Sequence, residues 1–444
     1  MQLGEITEPK IDQAGPQPCG GFTYVDISSV DNNAKRIVDP KRLPADSAPS
    51  RARQRLRSGD VLVSMTRPNL NAVALVPPEL DGAIGSTGFH VLRARDGVLP
   101  QWLYYGVQTR QFVGAMSELV QGALYPAVRP KDIRAFDMPL PALDEQRRIV
   151  AELEKQFSRL DEAVANLKRV EANLKRYKAA VLKAAAEGNL VPTEAELARR
   201  EGRTFETGGQ VLARLLERRE GLWKGKGKYA DPCPPDTTDL PPLPDGWTYA
   251  TAEQLTDPNR TITYGVIKLG PPVDGGVPIL RSSDVRSLRI DLEGVKTIAP
   301  SIAAEYRRTF LEGGEVIITV RGTLGGIAVA PSACRGFNVS REVAMLAMVE
   351  PELAHTIAQF IASAPIQKWL MTRTKGIAYT GINIETLKAL PLPVPPLHEQ
   401  RRIRAETERL LSLVAELELE IESNMLRAQR LTQSTLQHVL GAGP

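Results

Sequence analysis

Gly122 to Leu153 reads GALYPAVRPKDIRAFDMPLPALDEQRRIVAEL, and Gly376 to Thr407 reads GIAYTGINIETLKALPLPVPPLHEQRRIRAET. The two stretches align without a gap at an offset of 376 − 122 = 254, and 13 of the 32 positions are identical. Unrelated segments of that length share roughly 2, so the chain carries an internal duplication. A fainter echo lies upstream, where Leu56-Arg57-Ser58-Gly59-Asp60-Val61-Leu62-Val63-Ser64 answers Leu311-Glu312-Gly313-Gly314-Glu315-Val316-Ile317-Ile318-Thr319 at 311 − 56 = 255. Such a period is too long for a solenoid repeat, so each copy is a whole domain with its appendage. Two copies of one device suggest a target in two parts.

After each Glu-Gln-Arg-Arg-Ile the chain is almost free of Gly and Pro. The first copy places Ile149, Leu153, Gln156, Leu160, Ala163, Leu167, Val170, Leu174, Tyr177 and Val181 at alternating steps of four and three. The second places Ile403, Thr407, Leu410, Val414, Leu417, Ile421, Asn424, Ala428, Leu431 and Thr435 in the same register. A period of 3.5 sustained this long predicts a coiled coil, with helices of about 50 Å or more. If a pseudo-twofold axis relates the copies, the helices run antiparallel, and the polar seam residues Gln156 and Asn424 are expected to meet in one layer.

Upstream of each helix the pattern is mixed. Val61 to Ser64, Ala72 to Val76 and His90 to Leu92 read as short strands before a helix from Leu99 to Leu119. Val316 to Thr319, Ile327 to Ala330 and Met345 to Val349 repeat the order before a helix from Pro351 to Thr372. The predicted fold class is α+β, with compact duplicated domains over 1–142 and 243–396, long helices over 143–188 and 397–444, and a connector over 189–242. Pro139-Leu140-Pro141 and Pro391 to Pro396 remove backbone donors and force an extended run-in to each helix, as stiff joints. In the connector, Thr193 is a cap candidate and Val211 to Leu222 reads as a helix; the proline-rich stretch after it is semi-rigid and extended. The first copy has no counterpart of Pro244-Asp245-Gly246-Trp247 and begins abruptly, as expected if the start codon was assigned late.

The 444 residues are 42% hydrophobic, room for several domains with their own cores. With 56 Lys+Arg against 52 Asp+Glu the net charge is only +4, which neither demands nor excludes nucleic acid. Cys19, Cys233 and Cys334 are scattered and odd in number, against a disulfide framework, and no run is long and apolar enough to span a membrane. A cytoplasmic protein is the expectation. No phosphate loop, no dinucleotide fingerprint and no Asn/Asp-Pro-Pro-Tyr/Phe occurs, and His90, His355, His398 and His438 have no metal-ligand spacing. Of the acidic pair Asp144-Glu145 only the glutamate recurs, as Glu399, at a helix start where a carboxylate suits the dipole; capping or a partner contact is expected there, not catalysis. What remains is polar and basic: Arg51, Arg53, Arg55 and Arg57 alternate, and Arg281, Ser282, Ser283, Arg321, Thr323, Arg341, Arg373, Lys375 and Asn383 fall at strand ends and loops. Such side chains read base edges and phosphates.

At the repeated Pro-x-Pro-x-Leu-x-Glu-Gln-Arg-Arg-Ile, its heptads, Leu182 to Val191 and the connector Lys226 to Trp247, the chain resembles the specificity subunits of type I restriction-modification systems. The resemblance implies two target recognition domains, each reading half of a split, asymmetric site on double-stranded DNA, and two helices forming an antiparallel spacer. It implies a non-catalytic chain that binds no cofactor or metal, docking two modification (methyltransferase) subunits that carry S-adenosylmethionine. Restriction (translocase/nuclease) subunits using ATP and Mg would join them. In that reading the DNA contacts are Arg67, Asn69, Tyr125 and Arg129 in the first domain, and Arg281, Arg321, Thr323, Tyr379 and Asn383 in the second. The subunit and coiled-coil interface is assigned to Glu145, Gln146, Arg147, Ile149, Leu153, Leu160, Leu167 and Leu174, and to Glu399, Gln400, Arg401, Ile403, Leu410, Val414, Leu417 and Ile421. The rivals are a coiled-coil scaffold with two protein-binding domains and a specificity subunit of a methylation-only phage-defence system.

Overall fold

A computed structural model describes residues 1–13, 15–16, 20–120, 126–238, 240–373 and 381–440. The chain forms two compact units, Met1–Val170 with Glu420–Pro444, and Glu171–Leu419.

In unit 1 the strand Val61–Ser64 lies between Val73–Leu75 and Phe89–Leu92, antiparallel to both. All four of its residues are buried because the sheet has a core on each face. Val61 and Val63 pack with Leu3, Trp102 and Phe112, whereas Leu62 packs with Val25, Leu56 and Phe89. A second sheet runs in the order Lys41–Pro44, Gly21–Val25, Ile84–Ser86, Ala52–Arg55. On its edge strand Ala52 and Gln54 point inward and Arg51, Arg53 and Arg55 outward, the alternation a half-buried strand imposes.

Unit 2 repeats the plan. Val316–Thr319 lies between Ile327–Val329 and Val343–Leu346, with Val316 and Ile318 in one core and Ile317 in the other. Its second sheet orders Lys296–Ile298, Val277–Leu280, Asn338–Val339. Smaller pairings recur too: Thr66 bridges Ala127 as Arg321 bridges Gly381, and Thr7 bridges Ala94 as Thr256 bridges Met348. Pro391–Val394, expected only as extended, pairs antiparallel with Thr248–Thr251 in a two-stranded ribbon, where prolines lacking N–H are tolerated.

Each single helix expected after these strands is broken in two. Unit 1 has Pro100–Gly106 and Arg110–Glu118; unit 2 has Leu353–Ala362 and Ala364–Thr372. A hydroxyl stands at the same place at each break, joined in unit 2 by Pro365, which lacks the N–H a continuing helix needs. Thr109 Oγ1 donates to Gly106 O at 2.8 Å and Ser363 Oγ to Phe360 O at 2.6 Å, satisfying carbonyls that a continuing helix would use.

Leu143–Ala186 and Leu397–Leu440 are helices of 44 residues each, about 66 Å at 1.5 Å per residue. In unit 1, Val150 and Leu153 share a core with Leu436 and Leu440; in unit 2, Ala185 and Ala186 share one with Ile403. Half of the expected seam is displaced by one residue. Leu153, Leu160, Leu167, Leu174 and Val181 are shielded, but their expected partners Ala163, Val170 and Tyr177 are exposed, and Val164, Glu171 and Lys178 are the shielded neighbours. Likewise Leu417 and Leu431 are exposed at 45% and 55%, with Glu418 and Thr432 turned in. Gln156 and Asn424 do not form the expected polar layer through their bonded groups. Gln156 donates to Glu152 and Asn424 accepts from Arg427, each within its own helix.

Candidate nucleic-acid interface

The arrangement that could meet a ligand is the same in both units: the end of the central strand, pinned by the segment that precedes a short helix. In unit 1, Arg67 N donates to Pro126 O and Val128 N to Met65 O, both at 2.9 Å. In unit 2, Ile382 N donates to Val320 O at 2.9 Å beside the Arg321–Gly381 bridge. The short helices Pro130–Arg134 and Ile384–Lys388 start at Arg129 and Asn383.

Arg67 and Asn69 are exposed on a turn, and Arg129 is exposed beside them on the pinned segment with a contact to Asp132 at 3.3 Å. Arg321 is exposed and lies over the Tyr264 ring, 5.9 Å from its centroid. The Tyr264 hydroxyl donates to Ile382 O at 2.6 Å, so one aromatic braces both strands of the pair. Thr323 is exposed on the loop that follows. Arg281 is held more tightly than expected: Asp284 accepts from its Nε and Nη2 at 3.1 and 2.8 Å, which fixes the fork in one orientation. Asn383 spends its Oδ1 on Thr386 N at 2.6 Å as a helix cap. Tyr125, Tyr379 and Lys375 lie outside the described residues. Sequence reasoning missed Tyr264, as well as Glu342, which accepts from Ser282 at 2.8 Å. Tyr264 stands beside Gly265 and Val266 with no polar run to mark it, and Glu342 follows Arg341 but carries the charge that repels phosphate.

The two long-helix starts separate into different jobs. Gln146 is buried, donating to Pro141 O and Gly97 O and accepting from Leu99 N; Gln400 donates to Pro395 O, again five residues back. These glutamines lock the helix to its own unit instead of facing a partner. Glu145 is half-buried and pairs with Arg148 at 2.7 Å, whereas Glu399 is fully buried and accepts from Trp247 Nε1 at 3.0 Å and Glu194 N at 2.8 Å. Arg147 and Arg401 remain exposed. Ile403, Val414 and Ile421 are buried, and Ile149, Leu160, Leu167, Leu174 and Leu410 partly so.

Burial holds the Glu399 carboxyl above the ordinary glutamate value of 4.5, against the two N–H donors that pull the other way. A group with a raised folded pKa contributes stability that is complete below its unfolded value and is lost as pH rises through the folded one. Glu399→Gln is therefore expected to flatten the pH dependence of unit 2 above pH 4.5, as read by urea midpoints in a pH series.

Among the described residues no group of three or more His, Cys, Asp or Glu is placed to hold a metal, and no helix is long and apolar enough to cross a membrane. Residues 272–423 match the type I restriction modification DNA specificity domain. Over those residues, about a third of its length, the chain is similar to the type I specificity subunits. It is 24% identical over 305 residues to the type I restriction enzyme EcoBI specificity subunit of Escherichia coli, covering 67% of this chain and 56% of that one. To the EcoKI specificity subunit of Escherichia coli strain K12 it is 23% identical over 358 residues, covering 78% and 66%. The matched region thus spans about half to two thirds of these curated relatives. Among solved structures, a chain from work on complex assembly and conformational transition of the type I R-M system superposes with a TM-score of 0.69 at 25% identity, over 99% of this chain and 96% of that one. The HsdS subunit of Thermoanaerobacter tengcongensis gives 0.52 at 26%, over 100% and 96%. The chain thus shares the α+β fold of these solved structures.

Proposed function

We propose that this chain is a specificity subunit that reads a split, asymmetric DNA site, one half with each unit, and carries no catalytic centre of its own. The observation that bears most weight is the pinned strand end repeated in both units with unlike side chains: Arg67 and Asn69 on one, Arg321 and Thr323 on the other. Like backbones deliver the loops to DNA, and unlike residues read unlike bases. The repeated bridges support a duplicated origin with pseudo-twofold symmetry. The shared cores of Val150 with Leu436 and of Ala185 with Ile403 support an antiparallel coiled coil. The exposed faces of the long helices, Arg147 and Arg401 included, would dock two methyltransferase subunits carrying S-adenosylmethionine, and restriction subunits using ATP and Mg would complete the assembly.

Single-molecule methylation mapping tests this, using cells that express the chain with its partner methyltransferase against cells lacking the chain. A split motif present only with the chain supports the reading. No new motif beside an active methyltransferase refutes it and favours the scaffold alternative. Arg321→Ala is expected to cost about 1–3 kcal/mol of discrimination at one half-site and none at the other, visible as degeneracy confined to that half. An unchanged motif would remove Arg321 from the reading face.

A further inference from the structure

Four described residues other than glycine hold a left-handed backbone: Lys35 (φ 53°), Arg67 (49°), Asn71 (46°) and Leu288 (60°). Three of the four lie around one turn in unit 1. Lys35 ends the turn of the hairpin that pairs Val30–Asp31 with Arg36–Ile37. Its Nζ donates to Asn71 O at 2.6 Å, while its own carbonyl accepts from the Tyr104 hydroxyl at 2.9 Å. Arg67 and Asn71 bracket the Pro68–Leu70 turn that carries Asn69. A left-handed backbone costs a side-chain-bearing residue on the order of 1 kcal/mol, and strain gathered in one place marks a functional segment.

Unit 2 keeps the strain only at its hairpin, where Leu288 stands as Lys35 does, and relieves it in the turn. The offset that aligns Val61 with Val316 puts Gly322 (φ 72°) where unit 1 has Arg67, and Gly326, which is not left-handed, where it has Asn71. The corresponding hairpin docks through its main chain, Leu288 N donating to Ile327 O, so no side chain is needed. Unit 1 accepts an arginine in a glycine position and recruits a lysine across 36 residues to hold the turn.

We propose that Lys35 is a positioning residue which, by bonding Asn71, holds the Arg67–Asn71 turn in the conformation that presents Arg67 and Asn69 to DNA, and that it governs only the half-site read by unit 1. This rests on the DNA-reading function proposed above. Burial brings the Lys35 ammonium down to about 8. The charged groups nearest this contact are Asp31 and Arg36 on the hairpin, Tyr104 on Pro100–Gly106, and Asp161 and Lys168 on the long helix; of these Asp31 acts on Lys35 to keep the proton. The charged donor bonds a carbonyl more strongly than the neutral amine. Discrimination at the unit 1 half-site therefore falls as pH rises through about 8, and the other half-site does not respond. Stability moves the opposite way: the folded value lies below the ordinary 10.5, so the buried charge costs stability below about 8 and the cost is relieved as pH rises.

The test uses the full chain assembled with its methyltransferase subunits, with methylation mapping and competition between duplexes altered in one half. Lys35→Met is expected to weaken discrimination about tenfold at the unit 1 half-site, leave the other half within about twofold, and leave the unfolding temperature unchanged or higher. Lys35→Arg, which keeps its charge, is expected to retain discrimination and abolish its pH dependence. A Lys35→Met complex that reads both halves like the parent overturns the proposal. So does a loss of reading that comes with a lowered unfolding temperature and is not rescued by arginine, since that is a merely structural role. If the parent complex shows no split motif, the DNA-reading function falls and this proposal with it; a normal parent motif with an indifferent Lys35→Met removes this proposal alone.

Discussion

Asp60→Ala is expected to destabilise unit 1 by about 3–5 kcal/mol, enough to unfold much of it at physiological temperature. Asp60 is 1% exposed and Arg93 9%, and the carboxylate accepts from Arg93 Nε at 2.8 Å and Nη2 at 2.7 Å. The same carboxylate accepts from Arg57 N at 2.8 Å, closing the turn that starts the central strand. Removing it leaves the buried guanidinium only the half-exposed Glu8, 3.7 Å away, as counter-charge and frees the turn. The equivalent acid in unit 2, Glu315, also closes its turn, accepting from Glu312 N and Gly313 N, but its partner Arg260 is 25% exposed. Water can take over part of that charge, so Glu315→Ala is expected to cost less. Hydrogen exchange resolved by peptide decides the matter: protection should collapse over Val61–Ser64 in Asp60→Ala and persist over Val316–Thr319. Equal protection in parent and variant would show that the pair carries no net stability.

Trp102→Ala is expected to cost a further about 3–5 kcal/mol of the same unit, by leaving a cavity where a 1% exposed indole packs against Leu3, Leu103 and Phe112. Its Nε1 also donates to Pro139 O at 2.9 Å, so the tryptophan ties the core to the proline joint before the long helix. Trp102→Phe keeps most of the packing and loses only that bond, and should recover the larger part of the loss. Urea denaturation of the three proteins, followed by circular dichroism, checks this; a Phe variant as weak as the Ala variant would mean that the joint, not the cavity, dominates.

The fold was legible where period and composition speak together. Val61-Leu62-Val63 could be seen as a strand because its apolar run is unbroken, and its burial on both faces came from the structure. The line of Leu153, Leu160, Leu167 and Leu174 could be seen because leucine returned every seven residues. The other half of the seam could not, since Ala163 and Val164 are adjacent and both apolar, and a step of 3.5 residues does not choose between them. The helix break at Thr109 was hidden because a hydroxyl that bonds its own backbone looks like any polar surface residue, whereas Pro365 marked the break beside Ser363 and was legible. In the candidate interface, Arg321 and Thr323 announced themselves by standing at a strand end. Tyr264, Glu342 and Lys35 did not, because their partners Ile382, Ser282 and Asn71 lie 118, 60 and 36 residues away.

Val211 and Leu215 of the helix Gly208–Leu222 are 1% and 0% exposed in the core of unit 2, upstream of the residue where sequence alone would start that domain. This bears on how such genes can be shuffled. A crossover near the codon for Leu243 would bring in a foreign reader while leaving behind the helix that fills its core, and the hybrid would inherit a hole lined for someone else's side chains. Recombinants that cross within the first long helix carry helix and core together, so viable hybrids should have their breakpoints upstream of Gly208.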